Sequence, residues 1–421
     1  MTATAIPKPL PADQITYRDL YERWEQGNWS AAAIDFTTDR EQWQSTFTEM
    51  ERRATLWTYS MFFHGEDSVA DNLSPYIDAA PTEEQKYFLA TQQVDEARHA
   101  VLFARFMREV AETGTDTGSS LAATAPELTW GFKRVFGRLD QMADELRRDR
   151  SKPKLAQAIA LYHLVVEASL AQPGQHLIEE SLKRRDLLPG FREGIHNVSR
   201  DEQRHIGFGV KMIADLIRQD PECEPAIEEL LREIFPYTAA VFVPPGWDER
   251  YVEAFGFTLE EIYTYGAESI EGRLRAAGLD PLSLRTGLPF DLPPQERARR
   301  GLAMLRAGYL GAPNGPANID PEVTALLFDG LRRTLDTSLV SEATIQWDFT
   351  DSEPWQLRVE QGKATVSPGW AEHPDLVLRS RFQDFLDVTA GRKDPLRAVL
   401  TGKLRPRGRL RMLLRAPKLF A

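Results

Sequence analysis

The sequence predicts a mainly α protein: a four-helix bundle with extra helices, followed by a small α+β domain. Three observations carry this. From about Asp39 to Gln219 apolar residues recur at helical spacing. Two of the helical stretches contain one five-residue pattern, Asp95-Glu96-Ala97-Arg98-His99 and Asp201-Glu202-Gln203-Arg204-His205. From Thr344 onward the apolar period changes to two, in short runs punctuated by glycine.

Residues 1–40, with Trp24, Trp29 and the turn-like Gly27-Asn28, read as an arm over the first domain. A long helix is expected from about Asp39 to Tyr76, carrying Trp43, Phe47, Met50, Phe62 and Glu66. Thr82 followed by Glu83 and Glu84 marks the start of a second helix, which holds Glu96 and His99 and stops near Gly114. Residues 118–126 read as a Ser/Ala/Thr loop, before a more polar helix over 127–148. The third bundle helix, about Pro153 to Arg185, is apolar nearly all round at Leu161–Leu170 and is therefore central. The fourth follows Pro189-Gly190 and runs to about Gln219. Further helices are expected near 225–242 and 259–277. Proline-rich connectors follow, ending at Gly311–Pro316, which sets a boundary between domains 1–312 and 318–421. After an amphipathic helix over 321–335, strand-like runs begin at Thr344, Trp355, Lys363 and Leu376, and a helix carries Phe382 and Phe385.

Composition bounds the function. A chain of 421 residues is long enough for two or three domains. Its net charge of −12 argues against non-specific nucleic-acid binding. No apolar run approaches the ~20 residues of a membrane span, and no secretory signal is visible at Met1–Pro11. The single cysteine, Cys223, fits a reducing, cytoplasmic setting. Residues 396–421 carry six Arg, two Lys and no acid. The reading favoured for this run is a solvated face balanced by the acidic first domain, rather than a lipid contact.

On a helix, residues three apart share a face, so Glu96 pairs with His99 and Glu202 with His205. A carboxylate beside an imidazole is half of a transition-metal site. Two such halves plus one Glu from each of two further helices describe a di-metal carboxylate bundle. A third Glu-x-x-His match, Glu193 and His196, lies nine residues before the second pattern. At about 100° per residue it faces the other way, and His196 reads as a surface residue. Glu167, between Val166 and Leu170, is the third-helix candidate, because an unpaired buried carboxylate is costly. On the first helix Glu66 sits on an apolar stripe, with Asp67 left open beside it, while Glu49 and Glu51 look solvated. Six N/O ligands suit iron or manganese, with Glu96 and Glu202 expected to bridge. Asp201 could accept from His99 and Asp95 from His205 across the bundle; alternatively each pairs with Arg98 or Arg204.

These stretches, together with Ile34-Asp35-Phe36, Gly65-Glu66-Asp67-Ser68-Val69, Tyr162-His163-Leu164-Val165-Val166-Glu167 and Leu188-Pro189-Gly190, resemble the ligand-binding oxidases related to the ribonucleotide reductase small subunit. The resemblance covers about Tyr17 to Gln219. It implies a ferritin-like bundle with a Mn/Fe or Fe/Fe pair that activates O2. Glu66, Glu96 and His99 would hold one metal, and Glu167, Glu202 and His205 the other. It also implies an oxidative ether cross-link between Val69 and Tyr162, a bound long-chain fatty acid and a homodimer. Two departures stand out. Gln175 replaces the family's pocket tyrosine, and Pro173-Gly174 interrupts the third helix, so both reshape the expected substrate pocket. Phe103 occupies the position of the reductase subunit's radical tyrosine, which favours an oxidase over a radical generator.

Residues 318–421 resemble the sterol-carrier-protein lipid-binding domain, through Pro374–Leu378, Asp384–Asp387, Gly391–Pro395 and Gly402–Arg405. The resemblance implies a five-stranded sheet and an apolar ligand tunnel. The expected function is O2-dependent oxidation of a hydrophobic, long-chain aliphatic substrate, with an unidentified electron donor. The alternatives are a metal-loaded lipid carrier without turnover and a reductase-like radical generator.

Overall fold

The computed structural model describes residues 10–313, 315–340, 342–409 and 411–413. The start of the N-terminal arm and the end of the basic segment lie outside the described residues. In chain order the helices are α1 (Tyr17–Gln26), α2 (Thr37–Ser45), α3 (Glu49–Asn72), α4 (Ser74–Ala79), α5 (Glu83–Glu109), α6 (Thr117–Thr124) and α7 (Trp130–Arg148). Then come α8 (Lys152–Ile159), a π-helical stretch (Ala160–Ala171), α9 (Gln172–Arg185), α10 (Pro189–Gln219), α11 (Cys223–Thr238), α12 (Arg250–Glu253), α13 (Leu259–Ala276), α14 (Pro294–Arg306) and α15 (Pro321–Thr334). The remainder is β1 (Ala343–Phe349), β2 (Trp355–Glu360), β3 (Lys363–Pro368), β4 (Leu376–Ser380), α16 (Phe382–Thr389), α17 (Pro395–Leu400) and β5 (Leu404–Gly408).

The chain forms two compact units: residues 1–227 with 241–281, and residues 228–240 with 282–421. In the first, α3, α5, the α8–π–α9 helix and α10 make the ferritin-like bundle. Local chemistry sets where they start. Thr48 and Glu51 cap α3 reciprocally, as Thr82 and Gln85 cap α5. The start of α10 is capped from a distance: Asp39 accepts the backbone N–H of Gly190 at 2.8 Å and of Phe191 at 2.9 Å. Gly190 is required there, because a Cβ would sit 2.2 Å from the Asp35 carbonyl. An aromatic cluster of Tyr59, Phe62, Phe103, Phe106 and Phe191 fills one end of the bundle.

Two expectations are corrected. The first helix is not continuous from Asp39 to Tyr76. It breaks after Ser45 and again at Leu73, where Thr48 and Pro75 start new helices. Residues 117–124 are helical rather than loop, because Asp116 caps the segment through the Ser119 N–H.

The third bundle helix is one long helix wound in two ways. The π stretch pairs each N–H with the carbonyl five residues back, as the Gln172 N–H does with Glu167. In that pattern the Ala168 carbonyl faces residue 173, and Pro173 has no N–H to give. Ser269 of α13 donates to that carbonyl instead, at 2.6 Å. The proline therefore marks the end of the π winding without breaking the helix.

The second unit holds a five-stranded sheet in the order β3-β2-β1-β4-β5. All pairs are antiparallel except β1 with β4. Phe328, Trp347, Phe349, Trp355, Phe382 and Phe385 fill the core, with Phe328 stacked on Trp355 at 4.5 Å between centroids. Residues after 282 belong to this unit, and Tyr309 bonds Thr324 at 2.7 Å. The compact unit thus takes in the connectors before residue 318 as well.

Candidate metal centre

The bundle brings six side chains into one buried cluster. Glu66 comes from α3, Glu96 and His99 from α5, Glu167 from the π stretch, and Glu202 and His205 from α10. They fall into two overlapping groups, Glu66–Glu96–His99–Glu202 and Glu96–Glu167–Glu202–His205. In each group one donor atom per residue lies within 4.8 Å of the others. Glu96 and Glu202 belong to both, the arrangement that bridging carboxylates require. His99 turns Nδ1 inward, 3.3 Å from Glu66 and 3.5 Å from Glu96. His205 does the same, 3.2 Å from Glu96 and 3.5 Å from Glu167. Asp67 is outside the cluster and half-buried. His196 is on the surface, bonded to Glu179 at 2.8 Å.

The outward nitrogens complete a crossed pattern. His99 Nε2 faces Asp201 at 3.3 Å, and His205 Nε2 faces Asp95 at 3.1 Å. The alternative arginine pairings occur at the same time: Arg204 donates to Asp95 at 3.0 Å and to Asp201 at 2.7 Å, and Arg98 pairs with Asp95. Each aspartate also accepts an indole N–H from the arm, Trp24 on Asp95 at 3.0 Å and Trp29 on Asp201 at 2.8 Å.

Buried charge dominates the electrostatics. Burial pushes Glu66 up to about 8, partly offset by His99. Burial, then the neighbouring carboxylates, also raises Glu167 and Glu202. Burial acts upward on Glu96 too, but the charges of the facing His205 and His99 hold it well below the usual range. Burial disfavours charge on His99 and His205, yet the facing carboxylates raise both.

The residues fit a metal pair on an independent observation. Glu167 Oε2, Glu202 Oε2 and His205 Nδ1 are buried with no hydrogen-bond partner, and all three belong to the cluster. Buried polar atoms left without partners are costly, and cations at these positions would satisfy them together.

Beside the cluster a cavity of about 510 Å³, mouth included, is walled by Glu66, Glu96, Glu167 and Glu202 on one side. Its other walls are apolar and include Met61, Phe62, Val69, Phe132, Val166 and Leu170. Val69 is thus a wall residue. Tyr162 is fully buried and donates to Glu96 at 2.8 Å. The π winding makes that possible. An α-helix turns residues five apart by about 140°, whereas i→i+5 bonding brings Tyr162 and Glu167 to the same side. Phe103 is not in the cavity wall; it stacks on Phe62 at 5.9 Å within the aromatic cluster. Gln175 is buried on α9, also away from that wall.

Four residues at the centre were given no role there by the sequence: Trp24, Trp29, Gln92 and His163. Gln92 is one turn before Glu96, and His163 follows Tyr162. Their neighbours carried the signal. The tryptophans are joined to the aspartates only through the tertiary fold.

A ferritin-like bundle around such a cluster defines a dinuclear-metal carboxylate protein. Residues 10–240 match the family described as ribonucleotide reductase, small chain, and the chain belongs to that family. Residues 336–421 match the SCP-2 sterol transfer family and form a C-terminal SCP-2 domain. Among solved structures the chain is similar to variants of an R2-like ligand-binding oxidase with anaerobically reconstituted Mn/Fe cofactor. A glycine-to-phenylalanine variant is 25% identical with a TM-score of 0.53, over 62% of this chain and 94% of that one. A valine-to-leucine variant is 25% identical with a TM-score of 0.54, over 62% and 93%. A tyrosine-to-phenylalanine variant gives the same four values. Family and cluster together make the chain a dinuclear-metal oxidoreductase. Among the described residues no helix is long and apolar enough to cross a membrane.

Proposed function

We propose that the protein is an O2-dependent oxidase with a Mn/Fe or Fe/Fe pair, acting on a hydrophobic, long-chain aliphatic substrate. Glu66, Glu96 and His99 hold one metal; Glu167, Glu202 and His205 hold the other. The observation that carries this reading is the cavity with four of these carboxylates on one wall and apolar side chains on the rest. The bound pair would supply the redox chemistry for reducing O2 and oxidising an aliphatic C–H bond.

The chain's own residues position and exclude. Met61, Phe62, Phe132 and Leu170 keep water from the carboxylate wall and offer an alkyl chain an apolar path. Asp95 and Asp201 hold the two histidines with Nδ1 inward. Val69 and Tyr162 are the pair for an ether cross-link. That step removes one hydrogen from a Val69 carbon and one from the Tyr162 hydroxyl, and O2 accepts the two electrons. The SCP-2 domain, assigned to residues 318–421 beside an oxidase domain over 1–312, holds or delivers the hydrophobic ligand.

A homodimer through α5 is supported by its outer face. Tyr87, Ala90, Val94, Ala97 and Val101 are exposed at alternating spacings of three and four. Antiparallel pairing about Val94 sets Tyr87 against Val101 and brings Glu83 and Glu84 near Arg105 and Arg108 of the second copy. Val94→Asp is expected to give a monomer in analytical ultracentrifugation.

The test begins with protein loaded anaerobically with manganese and iron. Anomalous scattering at both edges should find two metals among the six residues, and finding none would end the reading. Glu66→Ala should lose metal while Asp67→Ala keeps it. After O2, the intact mass should fall by two hydrogens, and should not do so in Tyr162→Phe. The rival is a lipid carrier whose only oxidation is its own cross-link. A mass change without conversion of added fatty acids over many turnovers would favour that carrier.

A further inference from the structure

Gln92 is fully buried one turn before Glu96 on α5. Its amide N–H2 donates to Glu167 Oε1 at 2.7 Å and faces Glu96 Oε1 at 3.3 Å. With Tyr162, which donates to Glu96, it ties the π stretch to α5 directly at the carboxylates. Its carbonyl faces the other way, to His163 Nε2 at 3.1 Å. The direction of the amide follows from its surroundings: with Oε1 on the ring N–H, both amide hydrogens meet carboxylate oxygens, and the reverse would set an oxygen against them. His163 is fully buried on the π stretch, beside Tyr162, and its Nδ1 lies 3.3 Å from the Ile159 carbonyl.

A third helix makes room for the ring. A Cβ on Gly209 of α10 would lie 2.2 Å from the Cβ of His163 and 2.6 Å from its Cγ. Glycine inside a helix is less stable than alanine, so this position gives up helix stability to admit the imidazole. Gly209 is one turn after His205, on the same face of α10. Three bundle helices thus converge on one hydrogen-bonded line, in which His163 Nε2–H donates to Gln92 and Gln92 donates to Glu167.

We propose that His163 and Gln92 are positioning residues for the metal on the His205 side: the imidazole fixes the direction of the Gln92 amide, and the amide fixes Glu167 against Glu96. The line meets Glu167 and Glu96 Oε1, the Glu96 oxygen that faces His205, and makes no bond to Glu66 or His99. It therefore acts unequally on the two metals. This rests on the dinuclear reading above.

The test uses the full chain and Mn²⁺ under anaerobic conditions. Calorimetry gives the affinity of each equivalent, and manganese anomalous scattering gives the occupancy at each position. Gln92→Leu removes the donor, His163→Phe removes its orienting partner, and Gly209→Ala displaces the ring without touching any cluster residue. Each is expected to weaken binding on the His205 side by about 10- to 100-fold while the His99 side keeps its occupancy. His163→Gln, which retains an N–H donor, should recover part of the loss. Equal loss at both positions, including loss through unfolding in all three variants, would overturn the proposal, as would no loss at either. Failure of the wild-type chain to bind two equivalents would instead sink the dinuclear reading itself.

Discussion

Asp95 and Asp201 each serve a histidine from the opposite helix, Arg204 and an arm tryptophan, and Asp95 serves Arg98 as well. A carboxylate so surrounded both orients the histidine and raises its basicity toward a metal. Asp201 accordingly sits below the usual carboxylate range although burial, the largest single influence, acts upward; His99, Arg204 and Trp29 outweigh it. Asp201→Asn is expected to lower Mn²⁺ affinity by about 10- to 100-fold, read by calorimetry, and Trp29→Phe to lower it less. At this scale the sequence was legible where spacing on one helix decides, as for Glu96 with His99. It was illegible where reach across the fold decides. The Trp29 and Asp201 side chains meet across 172 residues.

The elements were legible where apolar period and caps agree. Helix α10 has the bounds its proline start and apolar face imply. The break before α3 was hidden because Trp43, Phe47 and Met50 continue a helical apolar pattern through it; the Thr48–Glu51 capping box was the overlooked signal. Strand β5 and helix α17 are too short for periodicity to mark. The π winding leaves no signature in the apolar pattern of a stretch that is apolar all round; only Pro173 hinted at it. Ser269→Ala would leave the Ala168 carbonyl without a donor, at a cost of about 1–3 kcal/mol, measurable by urea unfolding. Gly190→Ala forces a Cβ against the Asp35 carbonyl and is expected to cost about 1–3 kcal/mol, with a lower Tm.

The whole molecule joins two units with different cores, one built on helices around charged groups and the other on a sheet over stacked aromatics. The change of apolar period near residue 344 made the second unit legible. The proline-rich connectors look like a linker in the sequence, while Tyr309 anchors them to α15. The second unit also carries its own acid sensitivity. Burial acts upward on Asp387, but Lys393, Gln383 and Arg392 together hold it below its ordinary value. The unfolded chain therefore binds the proton more readily. The stabilisation is present above the unfolded pKa, about 3.9, and is lost as pH falls through the lower folded value. Asp387→Asn should destabilise at neutral pH, and its difference from wild type should shrink below about pH 4 in thermal melts.

The π stretch also acts as a change of gauge along one continuous rod. Between Ala160 and Ala171 the helix uses more residues per turn than α8 before it or α9 after it. The stretch holds spare length that an ordinary α-helix lacks. A one-residue deletion between Leu164 and Val166 can be taken up by rewinding to α, leaving α9 docked. The deletion leaves Tyr162 and Glu167 four residues apart, a spacing that an α-helix keeps on one face. Such a shortened chain is expected to keep its circular dichroism, most of its Tm and its two manganese equivalents. A one-residue deletion in the middle of α10, where there is no slack, should unfold the bundle.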